Sequence, residues 1–301
     1  MNPSTPQSIL ELARNFMESR VLLTGAEMNL FTLLASEPLS AEEVASRTGA
    51  NIRSLTILLD ALAAMELLVK QGGRYSCPPA IASLLSEKGP ESILPMVHHM
   101  AHVWQRWSQL TERVRGREEP GKPAESQEAN QIPAFIGAMH SIAAKLAPGI
   151  VAAVNPGTAR NLLDVGGASG TYTLAFLRAV PEMRATLFDK PEVIPIARRR
   201  LGEAAVLDRI TLVGGDYYRD EFPPGHDLAL ISAIIHQNSP GENLDLYRKV
   251  FRALVPGGRI VIRDHIMEPD RTRPRDGAIF AVNRLVGTRG GNTYTFEEIH
   301  P

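Results

Sequence analysis

From residue 160 onwards, short apolar runs alternate with segments in which apolar side chains recur every three to four positions. The first spacing predicts buried β-strands and the second predicts amphipathic helices, and their alternation is typical of a parallel, doubly wound α/β sheet. We predict strands at 161–166, 184–189, 209–214, 227–235 and 259–266, with helices between them that include 191–203 and 242–254.

The first third of the chain has a different pattern. Residues 8–35 show helical spacing with more apolar positions than one solvent-facing helix needs, so this surface is expected to have a partner. Ser40, followed three residues later by Glu43, predicts a capped helix start, and 51–68 predicts a second helix before a short hairpin at 69–75. Helix, turn, helix and hairpin form a winged-helix order.

The sequence disfavours DNA binding and metal binding by this N-terminal region. The helix in the position of a DNA-recognition helix has Arg53 as its only basic residue, whereas DNA binders neutralise several phosphates with clustered bases. His98 and His102 are spaced for one helical face, but no Cys, Asp or Glu lies nearby to complete a metal site. We therefore expect neither nucleic acid nor a metal.

Segment 115–130 is polar, contains Pro and Gly and is not periodic, which predicts an exposed loop. The amphipathic helix expected at 135–154 leads into the C-terminal domain and places Phe135, Met139 and His140 at a junction, where ligand pockets are common. The predicted organisation is an N-terminal helical domain (1–115), a loop and connecting helix (116–155), and an α/β domain (156–301).

Composition adds mainly exclusions. The 301 residues are 44% hydrophobic and carry 32 basic against 33 acidic side chains, so no bulk attraction to nucleic acid or to an anionic membrane is expected. The single cysteine, Cys77, excludes an intramolecular disulfide. The absence of a signal-like or membrane-spanning segment completes the expectation of a cytoplasmic protein.

The most informative segment is LDVGGASG at 163–170, an apolar strand that enters a glycine-rich turn and a helix start near Thr171. Gly166, Gly167 and Gly170 allow a sharp turn close to a ligand, and the helix start offers unpaired N–H groups. Asp189, nineteen residues beyond Gly170, ends the next apolar run, where such folds bind the ribose hydroxyls. A nicotinamide dehydrogenase is disfavoured because the fuller GxGxxG spacing is not present.

The polar residues at the predicted strand ends are expected to meet, because ligands of parallel sheets bind beyond the carboxyl ends of the strands. These residues are Gly166, Asp189, Asp216, His236 and Asp264.

Five segments in this order resemble the S-adenosylmethionine-dependent small-molecule O-methyltransferases, which include the plant caffeic acid and animal hydroxyindole enzymes. They are LDVGGASG (163–170), FDKPEVI (188–194), GDYY (215–218), IIHQN (234–238) and LVPGGR (254–259). The resemblance implies a Rossmann-like class I methyltransferase sheet with an N-terminal, all-α, winged-helix-like dimerisation domain, and hence a homodimer.

The resemblance also implies that S-adenosylmethionine is the cofactor and S-adenosylhomocysteine its product. Its methionine part would lie at the glycine turn, its ribose on Asp189, and its adenine beside Asp216 and Tyr217. The full implied cofactor set is Asp164, Gly166, Gly167, Gly170, Asp189, Asp216, Tyr217 and Ser232.

Methyl transfer to a phenol requires a base, because a phenol with a pKa near ~10 stays protonated at neutral pH, and histidine is a suitable one. His236 is the candidate base and Asp264 the carboxylate that orients it. The expected substrate, a small and aromatic hydroxyl compound, would contact Phe135, Met139, His140, Asn238, Asn283 and Arg284.

Three departures from the family pattern qualify the substrate site. His-Asp-Trp reads His236-Gln237-Asn238, and Thr293 occupies a position that is acidic in the plant enzymes. Arg284 stands where many relatives have methionine, which favours an anionic or polyhydroxylated substrate.

The end of the chain leaves alternatives open. Thr295 and Glu298 form a capping-box start, but the sequence ends at Pro301, whereas relatives continue with a helix and two strands. We expect a C-terminal truncation that exposes the strand carrying Asp264 as a sheet edge. A non-catalytic, regulatory dimer and a C- or N-methyltransferase of the same fold remain alternatives.

Overall fold

A computed structural model describes residues 5–117 and 125–300, with the side chains of 125–131, 133–135, 138 and 141 outside the description. The chain divides into two compact units, Met1–Val103 and Trp104–Pro301.

The N-terminal unit is mainly helical. The apolar stretch predicted at 8–35 forms three separate helices. The first helix ends at Arg14, and a second interruption lies at Asn29, whose backbone adopts the left-handed conformation (φ 54°). The capping box at Ser40 and Glu43 is confirmed, with reciprocal bonds of 3.3 and 2.6 Å. The elements are α1 (Pro6–Arg14), α2 (Phe16–Glu27), α3 (Leu30–Ser36), β1 (Leu39–Ser40), α4 (Ala41–Thr48), α5 (Ile52–Ala64), β2 (Val69–Gln71), β3 (Arg74–Ser76), α6 (Pro79–Leu85) and the start of α7 (Leu94–Trp107).

The predicted hairpin is confirmed as β2 and β3, and β1 adds a third antiparallel strand in the order β1-β3-β2. Helix α5 ends four residues earlier than predicted, since Glu66 has a positive φ of 60°. Basic residues of this wing-like sheet already have carboxylate partners: Lys70 lies 2.6 Å from Asp60 and Arg74 lies 2.7 Å from Glu43.

Helix α1 has no buried residue in the described chain, although one of its faces is apolar. Ile9, Leu10 and Leu12 are each about half exposed, and Phe16 and Met17 continue the exposed apolar surface into α2. Part of the apolar surface predicted at 8–35 is thus exposed on this unit.

The C-terminal unit contains a five-stranded, parallel sheet in the order β6-β5-β4-β7-β8, as the strand and helix alternation predicts. After the end of α7 its elements are α8 (Leu110–Val114), α9 (Glu125–Val154), β4 (Asn161–Val165), α10 (Thr171–Ala179), β5 (Arg184–Asp189), α11 (Ile194–Glu203), β6 (Ile210–Gly214), β7 (His226–Ser232), α12 (Pro240–Ala253), β8 (Leu254–Arg263), β9 (Ile266–Met267), α13 (Arg275–Gly287), β10 (Tyr294–Thr295) and α14 (Phe296–Ile299).

The central strand shows why the apolar runs are continuous. Along β4, Leu162 packs into one hydrophobic cluster, while Leu163 and Val165 pack into the cluster on the opposite face. Both faces of the sheet are therefore covered, as parallel sheets require.

Some predicted bounds were wrong. Strand β7 ends at Ser232 rather than at 235, because Ala233 has a positive φ of 58° and a short 3₁₀ helix, Ile235–Gln237, follows. Strand β8 starts five residues before the predicted 259. The loop predicted at 115–130 is helical at 125–130, where α9 has begun, and 118–124 lie outside the described residues.

Strand β8 pairs only with β7 within the described residues and so lies at an edge of the sheet, as expected. The capping box at Thr295 and Glu298 is confirmed at the start of α14. In the parts of the chain that the structure describes, no helix has the length and hydrophobicity that a bilayer crossing requires.

Candidate functional site

The strand register brings the expected site residues to one edge of the sheet. Val165 of β4 is paired with Phe188 of β5 on one side and with Ile231 of β7 on the other. The residues that follow these three are Gly166, Asp189 and Ser232, so they leave the sheet at the same level. Arg263 pairs with Ser232, which places Asp264 one step beyond the same edge.

The glycine-rich turn has two residues with backbone conformations that favour glycine, Gly166 (φ 67°) and Gly170 (φ 77°). A Cβ on Gly166 would lie 2.5 Å from Cδ1 of Ile234, and one on Gly170 would lie 2.7 Å from Cδ1 of Leu201. From the sequence, these glycines are expected to allow the close approach of a ligand. Packing of the turn against the protein's own side chains is a second reason for them.

Asp164 lies beneath this turn and is 1% exposed. Its Oδ2 accepts a 2.6 Å hydrogen bond from Oγ1 of Thr173, and a Cβ on Gly167 would lie 3.1 Å from its Cγ. Burial raises the pKa of Asp164 to about 7, and the nearby charge of Asp189 acts in the same direction. This carboxylate supports the turn from inside the sheet.

Asp189 faces the turn from the end of β5. Its Oδ2 accepts from the backbone N–H of Ala168 and its Oδ1 from that of Lys190, both at 2.7 Å. Burial raises the pKa of Asp189 in spite of these two bonds. A carboxylate has about four acceptor positions, so each oxygen can accept one further hydrogen bond.

Ser232 provides a second polar group at the same level. Its Oγ is buried and has no hydrogen-bond partner among the described residues. Buried hydroxyls normally have a partner, and an orphaned one beside a partly used carboxylate fits a polar ligand such as a nucleoside. The arrangement at Asp189 and Ser232 thus fits the cofactor that the resemblance implies.

The segment after β6 contributes to a hydrogen-bonded network centred on Asn238. Tyr217 and Tyr218 both donate to its Oδ1, at 3.2 and 2.6 Å, and its Nδ2 donates to Oδ1 of Asn243 at 3.0 Å. The backbone carbonyl of Asn238 accepts from the hydroxyl of Tyr294. Asn238 is fully buried, so the amide expected beside a substrate makes its contacts with protein groups.

Asp216 stands at the start of this segment. Its Oδ1 accepts from the N–H of Tyr218 at 2.9 Å, and its own N–H donates to Oδ2 of Asp220 at 2.7 Å. These bonds fix the turn after β6 and hold Tyr217, which is half-buried against the core that contains Phe222.

His236 and Asp264 form a hydrogen-bonded pair. The distance between His236 Nδ1 and Asp264 Oδ1 is 2.7 Å, and their side chains are 8% and 1% exposed. Burial acts to raise the pKa of Asp264, but the hydrogen bond and charge of His236 outweigh it, so this pKa lies below its usual value. An ionised Asp264 accepts a hydrogen bond from Nδ1–H, which keeps the proton on Nδ1 and leaves Nε2 with its lone pair.

A cluster of rings and cations surrounds this pair. The ring of Phe280 in α13 lies edge-on to His236, with 4.8 Å between centroids, and 4.3 Å from the ring of His265. Cζ of Arg284 lies 4.6 Å from the centre of the Phe280 ring. The adjacent Asn283 accepts a 2.9 Å bond from Nε1 of Trp107.

His140 is held elsewhere, near the start of α10. Its Nδ1 lies 2.8 Å from Oγ1 of Thr171, and Nη2 of Arg200 lies 2.7 Å from its Nε2. Burial, followed by the charge of Arg200, lowers the pKa of His140. Met139 is half-buried in the same helix, and the side chain of Phe135 lies outside the described residues.

Sequence reasoning missed Phe280 and His265 beside His236, and it missed Arg106, whose charge acts on Arg284. The spacing of Phe280 and Arg284 by four positions would have placed both on one helical face, and His265 directly follows Asp264. Nothing in the sequence pointed to Arg106. Within the described ranges, no group of three or more potential ligands forms a metal site.

Two protein families match the chain. The O-methyltransferase domain matches residues 113–300, and the O-methyltransferase dimerisation domain matches residues 10–87. Among characterised proteins, 3-hydroxy-5-methyl-1-naphthoate 3-O-methyltransferase of Streptomyces sahachiroi is 31% identical, over 97% of this chain and 86% of that protein. The tetracenomycin polyketide synthesis 8-O-methyl transferase TcmO of Streptomyces glaucescens is 29% identical, over 98% and 90%.

Solved structures show the same fold. Human N-acetylserotonin methyltransferase in complex with S-adenosylmethionine superimposes with a TM-score of 0.82 and 26% identity, over 100% of this chain and 92% of that one. PigF with S-adenosylhomocysteine gives a TM-score of 0.86 and 25% identity, over 98% and 91%.

Proposed function

This chain belongs to the family of S-adenosylmethionine-dependent O-methyltransferases that act on small molecules, and we propose that it methylates a hydroxyl group on an aromatic ring with His236 as the base. S-adenosylmethionine supplies the methyl group from its sulfonium sulfur. The chain's own residues bind this donor, position the hydroxyl and remove its proton.

The pair of His236 and Asp264 is the observation that carries the proposal. Since the Asp264 carboxylate accepts a hydrogen bond from Nδ1–H, the Nε2 atom of His236 is the proton acceptor. This Nε2 atom has no hydrogen bond within the described residues. As the hydroxyl oxygen attacks, its proton passes to Nε2, and Asp264 stabilises the imidazolium that forms.

The cofactor is bound, in this proposal, at the glycine-rich edge of the sheet. Asp189 accepts hydrogen bonds from the two ribose hydroxyls with the acceptor positions that Ala168 and Lys190 leave free, and Ser232 Oγ finds its missing partner in the cofactor. Asp164, Gly166, Gly167 and Gly170 shape the turn, and Asp216 and Tyr217 border the adenine.

An aromatic acceptor fits the surroundings of His236. The ring of Phe280 borders the base, and Asn283 and Arg284 continue along the same face of α13. By their names, two of the relatives above are O-methyltransferases, one of 3-hydroxy-5-methyl-1-naphthoate and one of tetracenomycin polyketide synthesis. The third is a methyltransferase of N-acetylserotonin. Oxygen is therefore proposed as the acceptor atom rather than carbon or nitrogen.

We also propose a homodimer formed through the N-terminal unit. The dimerisation domain matches residues 10–87, and the exposed apolar surface of Ile9, Leu12 and Met17 lies on or beside it. Leu12→Asp is expected to convert the dimer into a monomer in light-scattering measurements, whereas the exposed polar change Glu11→Gln leaves the mass unchanged.

The test is a screen of hydroxylated aromatic compounds with labelled S-adenosylmethionine, followed by product analysis. A methyl ether is the expected product, and a C- or N-methylated product would contradict the choice of oxygen. Binding of S-adenosylhomocysteine without turnover of any acceptor would favour the regulatory alternative. His236→Gln should abolish turnover and leave S-adenosylhomocysteine affinity unchanged, so a variant with near-normal kcat would refute the assignment of the base.

A further inference from the structure

Arg284 is a half-buried cation that has no ion pair among the described residues. Its guanidinium lies on the Phe280 ring, and its Nε is shielded from solvent with no hydrogen-bond partner within the described residues. Burial, followed by repulsion from Arg106, lowers the pKa of Arg284 to about 10, so the group remains charged at neutral pH. Arginines at such positions normally bond to carboxylates or phosphates in bidentate fashion.

Arg106 brings a second cation to the same face of α13. A Cβ on Gly287, three residues after Arg284, would lie 3.4 Å from Nη1 of Arg106, so this guanidinium lies directly beside α13. Burial lowers the pKa of Arg106 as well, and it has no ion pair within the described chain. Two unpaired, half-buried guanidinium groups that repel each other destabilise this face unless an anion binds to both.

The nearest carboxylate does not provide that anion. Oδ1 of Asp264 bonds to Nδ1 of His236 and to the N–H of His265, and its Oδ2 faces the N–H of His236. Elsewhere in this unit arginines do have direct partners, for example Arg252 with Glu221 at 2.7 Å. Arg284 and Arg106 therefore differ from Arg252 both in their burial and in their lack of an ion pair within the described residues.

The cations also lie close to the proposed base. The Phe280 ring is perpendicular to the His236 ring, with 4.8 Å between centroids, and its face lies 4.6 Å from Cζ of Arg284. A flat molecule that presents a hydroxyl to His236 Nε2 would thus extend along Phe280 towards Arg284. Asn283, held by Trp107, adds an amide at the same end.

We propose that the acceptor is a hydroxylated aromatic carboxylate whose carboxylate group is bound by Arg284 with the help of Arg106. This inference rests on the proposed function for the hydroxyl but not for the anion site. The two guanidinium groups fix the end of the acceptor opposite to the reacting hydroxyl, and so determine specificity for acids over neutral phenols.

The test is calorimetric binding of 1-naphthoate and of 1-naphthamide to the full chain saturated with S-adenosylhomocysteine. The two probes have the same ring and nearly the same size, and only the first is an anion. We expect the wild-type protein to bind naphthoate at least tenfold more tightly than the amide. Arg284→Met should remove this preference, and Arg284→Lys should retain part of it because the charge remains.

Arg275→Met is the matched control. It removes the same charge from the first turn of α13, where the side chain is 80% exposed and pairs only with Asp276. The naphthoate preference should persist in this variant. Thermal unfolding of each variant identifies any loss of the fold, in which case Arg284→Lys carries the comparison.

Equal binding of both probes to the wild-type protein, or an unchanged preference in Arg284→Met, would overturn the inference. A parallel measurement of kcat/KM for hydroxynaphthoates and their carboxamides separates it from the proposed function. Turnover of neutral phenols with no naphthoate preference refutes the anion site alone. An Arg284-dependent naphthoate preference without methylation of any phenol supports the anion site and refutes the reaction.

Discussion

The proposed cofactor side and the proposed acceptor side of the candidate site hold their residues by different means. On the cofactor side, backbone N–H groups of Ala168 and Lys190 fix Asp189, and the turn that supplies one of them is shaped by closely spaced glycines. On the acceptor side, the side chain of Asp264 fixes His236, and Phe280 comes from a helix much later in the chain. A backbone scaffold suits a ligand that does not vary, whereas side chains can be exchanged as the acceptor changes.

The largest effect on activity is expected from a substitution of Asp264 on the proposed acceptor side. In Asp264→Asn the amide offers a donor or a weak acceptor to Nδ1, so the ring loses both its fixed tautomer and the charge that stabilises the imidazolium. We expect kcat to fall by about 10³- to 10⁴-fold, as for comparable changes in other histidine–carboxylate pairs. Single-turnover rates with a saturating acceptor measure the loss.

Asp276→Asn is the control for this change, because Asp276 lies in α13 with its side chain 91% exposed. S-adenosylhomocysteine affinity should be unchanged in both variants. A large loss of that affinity in Asp264→Asn would mean that the two sides are not separable.

The next largest effect is expected from a change at Asp189, which tests the proposed cofactor side. Asp189→Ala removes the proposed acceptor of two ribose hydrogen bonds and leaves the N–H groups of Ala168 and Lys190 without their partner. Each hydrogen bond to a charged group contributes about 1.5–3 kcal/mol, so the loss of two should weaken S-adenosylhomocysteine binding by about 10²- to 10⁴-fold. Isothermal titration calorimetry gives the affinity.

Asp189→Asn keeps one acceptor oxygen and should show a smaller loss than Asp189→Ala. The kcat of both variants at saturating S-adenosylmethionine should stay within a fewfold of the wild-type value. Unchanged S-adenosylhomocysteine affinity in Asp189→Ala would contradict the placement of the ribose at this end of β5.

The same contrast explains what could be predicted from the sequence. The turn at 163–170 and the strand ends follow from local patterns, because a parallel register brings Gly166, Asp189 and Ser232 to one level once the strands are known. The partners of Asn238 could not be predicted in this way. Tyr217 lies 21 residues before it and Tyr294 lies 56 residues after it, and their contacts depend on tertiary packing.

Arg106 shows the same limit more clearly. Its guanidinium lies beside Gly287 of α13, about 180 residues later in the chain, and no periodicity links the two positions. The end of β7 was misplaced for a related reason. Residues 233–235 are apolar enough to continue the strand, but Ala233 adopts a positive φ that brings His236 to Asp264.

A smaller effect should come from the cofactor turn itself. Gly170→Ala combines an unfavourable φ of 77° with a Cβ only 2.7 Å from Leu201, a side chain in the core. Left-handed strain contributes about 1–2 kcal/mol and overpacking a further ~1 kcal/mol, so the free energy of unfolding should fall by about 2–3 kcal/mol. Urea titration of the protein without added cofactor measures the change.

Gly257→Ala provides the matched control, since its φ of 83° is similar but no atom lies within 4 Å of the added Cβ. It should lose only the strain of about 1–2 kcal/mol. Equal losses in the two variants would show that contact with Leu201 does not constrain the turn.

The smallest expected effect is the pH dependence that Asp164 gives to stability. Burial raises its pKa from 3.8 to about 7, so in the folded state it keeps its proton at a pH where the unfolded chain has already lost it. The stabilising contribution is complete below the unfolded pKa and declines as pH rises through the folded one. Between pH 6 and 8 this decline amounts to about 1 kcal/mol. Asp164→Asn, which cannot ionise and still accepts from Thr173, should show a flatter profile in chemical unfolding over that interval. If the two profiles are parallel, Asp164 is ionised beneath the turn at neutral pH, and the cofactor side is held by a buried charge as well as by backbone groups.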